Sequence, residues 1–315
     1  MPNEVTQLLN ADPEGIRSAA EILRQGGLVS FPTETVYGLG AIAENDIAVA
    51  RIFEAKGRPS FNPLIAHVAD VETARRYVRW SETAQLLADA FWPGPLSLVL
   101  PVKPDSGISP LVTAGLPSLA IRIPEHPVAH QLLEAVGGPV AAPSANPSGK
   151  ISPTRASHVM DGLGDKIDAV IDGGDCEVGL ESTIIGLLDE PTLLRPGGVP
   201  AEDIERVLRL TLKQDTSPDT LLAPGQMTSH YAPGATVRLN ATTWDAGELR
   251  LGFGDVDCDL NLSPNGDLIE AAANLFHHLH ELDGMHGDRI AVSPIPQTGI
   301  GRAINDRLQR AAAPR

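Results

Sequence analysis

Apolar residues at positions 16, 19, 20 and 23 follow Asp12-Pro13 at helical spacing, and Gly26-Gly27 closes the stretch. Residues 28–31 are a short, largely apolar run that predicts a buried strand, and 32–35 turn out of it. The alternation continues along the chain. Apolar runs at 64–68, 96–100, 119–123, 140–142, 169–171, 184–188 and 193–194 predict strands, and helical patterns cover 46–55, 82–91, 127–136 and 201–212. Short strands interleaved with helices predict an α/β fold built on a twisted mixed sheet.

The period then stops. Residues 213–235, "KQDTSPDTLLAPGQMTSHYAPGA", hold three prolines and no sustained pattern, which predicts an interdomain linker. Beyond it, strands are predicted at 236–239, 249–253 and 290–293 and helices at 268–282 and 300–311. That is a smaller α/β unit of roughly 80 residues, within the usual domain range. The expected division is therefore 1–212, 213–235 and 236–315.

Composition narrows the function. A length of 315 residues suits about two domains, and 42% hydrophobic with 20% charged residues is a globular balance. The 24 basic and 40 acidic residues give a net charge of −16, which argues against nucleic-acid or anionic-membrane binding through a basic footprint. An anionic ligand must then be held by local cations. Cys176 and Cys258 lack metal-ligand spacing and predict reduced thiols. The start of the chain does not resemble a signal peptide, and no apolar stretch is long enough to span a bilayer, so a cytoplasmic location is expected.

One stretch concentrates positive charge. "KGRPSFNPLIAHV" brings Lys56, Arg58, Asn62 and His67 to the junction between a predicted helix and strand. Taken alone it reads as a solvated loop. An arginine fork and a lysine two residues apart can also bind phosphate oxygens. No Walker A loop or G-x-G-x-x-G is present, so nucleotide phosphates would need such a device. "FPTETVYGLG" (31–40) supplies hydroxyls and glycines after a strand, and "APSANPSGKISPT" (142–154) supplies Ser144, Ser148, Ser152 and Thr154 at a strand's C-terminal end, where open α/β sheets bind ligands. Ser144 lacks the G-x-S-x-G setting of a hydrolase nucleophile. Arg122 lies within an apolar strand and Arg195 ends another, which is costly unless each meets an acid or a ligand anion. His277 and His280, in "FHHLHELDGMHGD", could share a helix face, but a surface helix is the expectation there.

In order, "PTETVYGLG", "KGRPSFNPLIAHV", "SLAIRIPEHPV", "APSANPSGKISPT", "ESTIIG" and "LRPGGV" resemble the motifs of the YrdC-like threonylcarbamoyl-AMP synthases. "PGQMTSHYAPGA" resembles the linker of the long form, and "TGIGRAINDRLQRAA" its closing helix. The resemblance covers nearly the whole chain. It implies a YrdC-like sheet with a concave ligand cavity and a C-terminal Rossmann-like domain. It also implies a reaction: L-threonine, bicarbonate and ATP give L-threonylcarbamoyl-AMP and pyrophosphate, for threonylcarbamoyladenosine in tRNA. A separate tRNA threonylcarbamoyl transferase would use the product.

Carried over by position, the resemblance assigns Thr35, His67, Arg122, Ala142 and Ser182 to L-threonine. It assigns Arg58, Asn62, Ser118, Ser144, Ser152, Arg195 and Tyr231 to ATP, and Lys56 with Arg58 to the phosphates as catalytic cations. It also implies a magnesium ion carried on ATP. Many long-form members have Lys-Tyr-Arg before the linker His-Tyr, whereas Met227-Thr228-Ser229 stands here. Two alternatives share the fold. One makes carbamoyl adenylate without threonine, usually in a longer chain with acylphosphatase-like and zinc-finger parts. The other is a double-stranded-RNA-binding or ribosome-assembly module, which the net charge disfavours.

Overall fold

The structure is a computed structural model in which residues 5–214, 224 and 230–314 are described. The chain opens with β1 (Gln7–Asn10), α1 (Pro13–Arg24), β2 (Val29–Phe31), β3 (Gly38–Ile42) and α2 (Asp46–Lys56). It continues through β4 (Ile65–His67), α3 (Val71–Tyr77), α4 (Glu82–Phe91), β5 (Leu96–Pro101) and α5 (Pro110–Thr113). Then come β6 (Ser118–Arg122), α6 (Pro127–Val136), β7 (Val140–Ala141), α7 (Ala156–Leu163) and β8 (Ala169–Asp172). β9 (Thr183–Gly186), β10 (Thr192–Arg195), α8 (Ala201–Leu208) and β11 (Lys213–Gln214) complete the first lobe. The second holds β12 (Thr236–Arg238), β13 (Leu249–Gly252), β14 (Leu260–Asn261), α9 (Leu268–Gly284), β15 (Arg289–Val292) and α10 (Gly301–Ala312).

The first lobe is one eleven-stranded mixed sheet in the order β1-β8-β2-β3-β7-β4-β6-β5-β9-β10-β11. The second is a parallel four-stranded sheet, β12-β15-β13-β14. Most elements start and stop where local chemistry dictates. Asp12 accepts from the amides of Glu14 and Gly15, and α1 buries Ile16, Ala19, Ala20 and Leu23. Asn45 caps α2 in the same way, and Gly57 ends it in the left-handed conformation (φ 61°). α8 ends at Leu208, short of the predicted 212, because Arg209 turns left-handed and the chain returns as β11 beside β10.

Strand alternation sends side chains to two faces. Ala66 of β4 and Leu119 and Ile121 of β6 join the large core under the helices. Ile65 and Ala120 face the other way, in a small apolar cluster with Val99, Ile184 and Leu194. His67 and Arg122 are register partners that alternation places on this second face. A bulge in β10 breaks the pattern. Leu193 pairs with Ile185 but Arg195 with Ile184, so Leu194 is an extra residue and Arg195 is re-aimed.

The lobes share one apolar core. Val36, Ile151 and Leu180 pack with Tyr231, Leu275, Phe276 and Leu279. At Gly179 (φ 70°) an added Cβ would lie 2.6 Å from the main chain of Ala272 and Ala273 on α9, so only glycine allows this approach. The His277–His280 segment also differs from the surface helix expected. His158 of α7 stacks on His280 with ring centres 3.9 Å apart, and His280 lies 3.2 Å from the Ser152 carbonyl. The histidines sit in the seam between lobes.

Candidate functional site

A cavity partly open to solvent lies on the second face of the sheet. Its lining gathers Thr33 and Thr35 from the β2–β3 loop, Arg58 after α2, Ile65 and His67 from β4, and Arg122 from β6. Ala142, Pro143 and Ser144 follow β7, Glu181 and Ser182 precede β9, and Arg195 ends β10. Pro224, His230 and Tyr231 complete the wall.

Arg122 is fixed on one side of this cavity. Its Nε donates to the Gly94 carbonyl (3.1 Å), Nη1 to Thr35 Oγ1 (2.9 Å), and Nη2 to Glu34 Oε1 in a buried ion pair. Glu34 thus satisfies the charge that the sequence leaves unexplained in strand 119–123. Thr33 steadies the same loop, sharing a hydrogen bond with Thr35 (2.8 Å). The His67 ring is buried, and burial, then the Arg122 charge, pushes its pKa down to about 3. His67 is therefore a neutral imidazole at physiological pH, and its Nδ1 has no partner among the described residues.

The opposite side is cationic. Arg195 donates to the Ser182 carbonyl from Nε (3.2 Å) and Nη2 (2.8 Å), and to the Pro224 carbonyl from Nη1 (3.1 Å). Arg58 donates to the carbonyls of Asn62 (3.4 Å) and Pro63 (3.0 Å). Among the described residues no carboxylate pairs with either guanidinium. Burial depresses both pKa values, and Arg195 adds to the effect on Arg58, which still stays near 10 and charged at neutral pH. Two buried, mutually repelling cations held by carbonyl dipoles and the Ser182 hydroxyl gain most from an incoming anion.

Not every residue singled out in the sequence faces the cavity. Thr35, His67, Arg122, Ala142, Ser182, Arg58, Ser144, Arg195 and Tyr231 line it; Lys56, Asn62, Ser118 and Ser152 do not. Lys56 departs from the phosphate-facing position expected of it. Its ammonium donates to the carbonyls of Ser144 (2.6 Å) and Asn146, while its own carbonyl accepts from the Ser148 amide (2.8 Å). It ties the serine loop to the end of α2. The Asn62 main chain supports Arg58, Ser118 begins β6 opposite Pro101, and the Ser152 hydroxyl donates to Glu181 Oε1. Met227, Thr228 and Ser229 lie outside the described residues.

Thr33, Glu181 and His230 of the lining, and Glu34 behind it, were given no role from the sequence, although "TET", "EST" and "SHY" lie inside quoted motifs. A signal existed for Glu34, since a strand arginine demands an acid. His230 and Tyr231 are placed by hydrogen bonds from neighbouring amides: His230 N to the Arg310 carbonyl (3.2 Å) and Ala232 N to the Gly149 carbonyl (2.9 Å). No group of three or more acidic, histidine or cysteine side chains among the described residues could cage a metal. Glu181, which lines the cavity, and Glu34, behind the lining Arg122, are each tied to an arginine. These residues do not fit a protein-held magnesium site.

The Sua5/YciO/YrdC family, described as telomere recombination, matches residues 21–197, and the Sua5 C-terminal domain family, described as threonylcarbamoyl-AMP synthase C-terminal domain, matches 199–313. The chain belongs to the threonylcarbamoyl-AMP synthase family. Among synthases of this family, that of Bacillus subtilis is 41% identical over 99% of this chain and 97% of its own. The Pyrococcus abyssi synthase is 43% identical over 94% of each chain. The crystal structure of Pyrococcus abyssi Sua5 complexed with L-threonine superposes with a TM-score of 0.91 at 40% identity, covering 98% of both chains. The two-lobed α/β synthase architecture expected from the sequence is therefore the one adopted.

Proposed function

We propose that this chain makes L-threonylcarbamoyl-AMP and pyrophosphate from L-threonine, bicarbonate and ATP. The observation that carries the reading is the pair of buried guanidiniums, Arg58 and Arg195, with no carboxylate partner among the described residues and a polar pocket of Thr35, His67, Arg122 and Ser182 in the same cavity. A polyphosphate would take the first group and an amino acid the second. The family match and a relative bound to L-threonine support it.

The threonine amine and bicarbonate condense to a carbamate with loss of water. A carbamate oxygen then attacks the α-phosphorus, and the bond to the pyrophosphate oxygen breaks. Both reactants are anions, so their repulsion must be cancelled before they meet. Arg58 and Arg195 do this and stabilise the charge leaving on pyrophosphate. Neutral His67 and the hydroxyls of Thr35 and Ser182 orient threonine, and Arg122 offers its remaining N–H groups to the carboxylate. No protein nucleophile takes part, and positioning alone can lower such a barrier by roughly 7–11 kcal/mol in the best cases. Magnesium would arrive on the nucleotide. In this reading the product passes to a tRNA threonylcarbamoyl transferase in the cytoplasm.

The test is incubation with ATP, bicarbonate and each amino acid in turn, with mass detection of the adenylate. A threonine-dependent product with matching pyrophosphate is expected. Carbamoyl adenylate formed equally well without an amino acid would sink the reading.

A further inference from the structure

The last helix of the second lobe reaches the cavity wall from behind with one side chain. Arg307 is fully buried, and its Nε donates to Glu181 Oε2 at 2.7 Å across 126 residues of sequence. Its Nη1 donates to Asp306 Oδ2 at 2.7 Å, and its guanidinium carbon stands 5.2 Å from the Tyr231 ring centre. The other Glu181 oxygen accepts from the Ser152 hydroxyl. Glu181, Arg195 and Tyr231 line the cavity, whereas Arg307 does not.

The charges explain why such a residue is needed. Four guanidiniums (Arg58, Arg122, Arg195, Arg307) and three carboxylates (Glu34, Glu181, Asp306) meet around this space. Glu34 pairs with Arg122, and Glu181 with Arg307. Burial favours a neutral Glu181, but Arg307, Arg195 and the Ser152 hydroxyl outweigh it and hold the carboxyl below its usual range. Glu181 is therefore charged and already within the field of Arg195. Without Arg307, Arg195 would be the cation left acting on it. A Glu181–Arg195 pair would remove half of the cationic surface and leave a carboxylate facing any incoming polyanion.

We infer that Arg307 is a positioning residue for the nucleotide: by holding Glu181, it keeps that carboxylate off Arg195, so that both Arg58 and Arg195 remain available to a polyphosphate. The second lobe thereby sets the charge of a site built mainly by the first. The inference rests on the nucleotide reading of the cavity given above.

Full-length variants titrated calorimetrically with α,β-methylene-ATP plus magnesium, and separately with L-threonine, test it. Arg307→Met is expected to weaken nucleotide binding about tenfold or more and threonine binding less than about twofold. Adding Glu181→Gln to Arg307→Met is expected to restore most of the nucleotide affinity, although the Arg307 charge is still missing. A merely structural role moves both affinities together and gains nothing from the second change. Glu181→Gln alone is expected to bind the nucleotide as well as the parent or better, which keeps the test alive if Arg307→Met does not fold. Loss of nucleotide binding in Glu181→Gln, or no recovery in the double variant, overturns the inference. Failure of the parent chain to bind the nucleotide would instead defeat the functional reading itself.

Discussion

At the scale of single residues, Arg58 and Lys56 stand two positions apart and do different work. Arg58 lines the cavity, while the Lys56 ammonium is held by two loop carbonyls and does not reach it. Arg58→Ala is therefore expected to cut threonine-dependent pyrophosphate release by about 100-fold, the scale of losing one charge-stabilising donor, with little change in melting temperature because relief of the repulsion from Arg195 offsets the lost carbonyl contacts. Lys56→Ala is expected to lose activity through the loop and to lower stability by about 1–3 kcal/mol, because buried carbonyls are left without a donor. Melting curves alongside the pyrophosphate assay separate the two. The sequence marked both cations but not their directions, since a side chain at a helix terminus can turn to solvent, ligand or backbone.

At the scale of elements, legibility followed local chemistry. The helices at 82–91 and 127–136 appear with the bounds that their caps and apolar faces predict. β3 went unread because "GLGAI" is rich in glycine, which weakens a strand pattern; here a Cβ at Gly40 would meet Phe31 at 2.9 Å. The bulge that re-aims Arg195 has no sequence mark, and Arg307 meets its partner from another lobe, beyond any local pattern. The stacked histidines of α7 and α9 were likewise invisible to spacing. Burial, then His280, His277 and Arg155, pushes the His158 pKa down to about 3. Its unfolded value is near 6.5, so below that pH the unfolded chain takes up a proton that the folded chain refuses. Stability is fully present above pH 6.5 and is lost as pH falls toward 3. His158→Phe, which stacks without titrating, is expected to flatten the melting temperature between pH 6.5 and 4. Some slope should remain, because His67 and His230 are also held near 3. An unchanged slope would remove His158 from this account.

At the scale of the whole molecule, a chain of net charge −16 keeps its useful cations inside one cavity. Double-stranded RNA is therefore expected to bind too weakly to measure at physiological salt. Tight binding whose logarithm falls steeply with the logarithm of salt would argue for an outer basic surface instead. The contact at Gly179 reaches further. With glycine main chain seated directly on the backbone of α9, any larger residue at 179 would have to push the two lobes apart there. So close a seat predicts that a chemical staple across the seam leaves threonine-dependent pyrophosphate release unchanged.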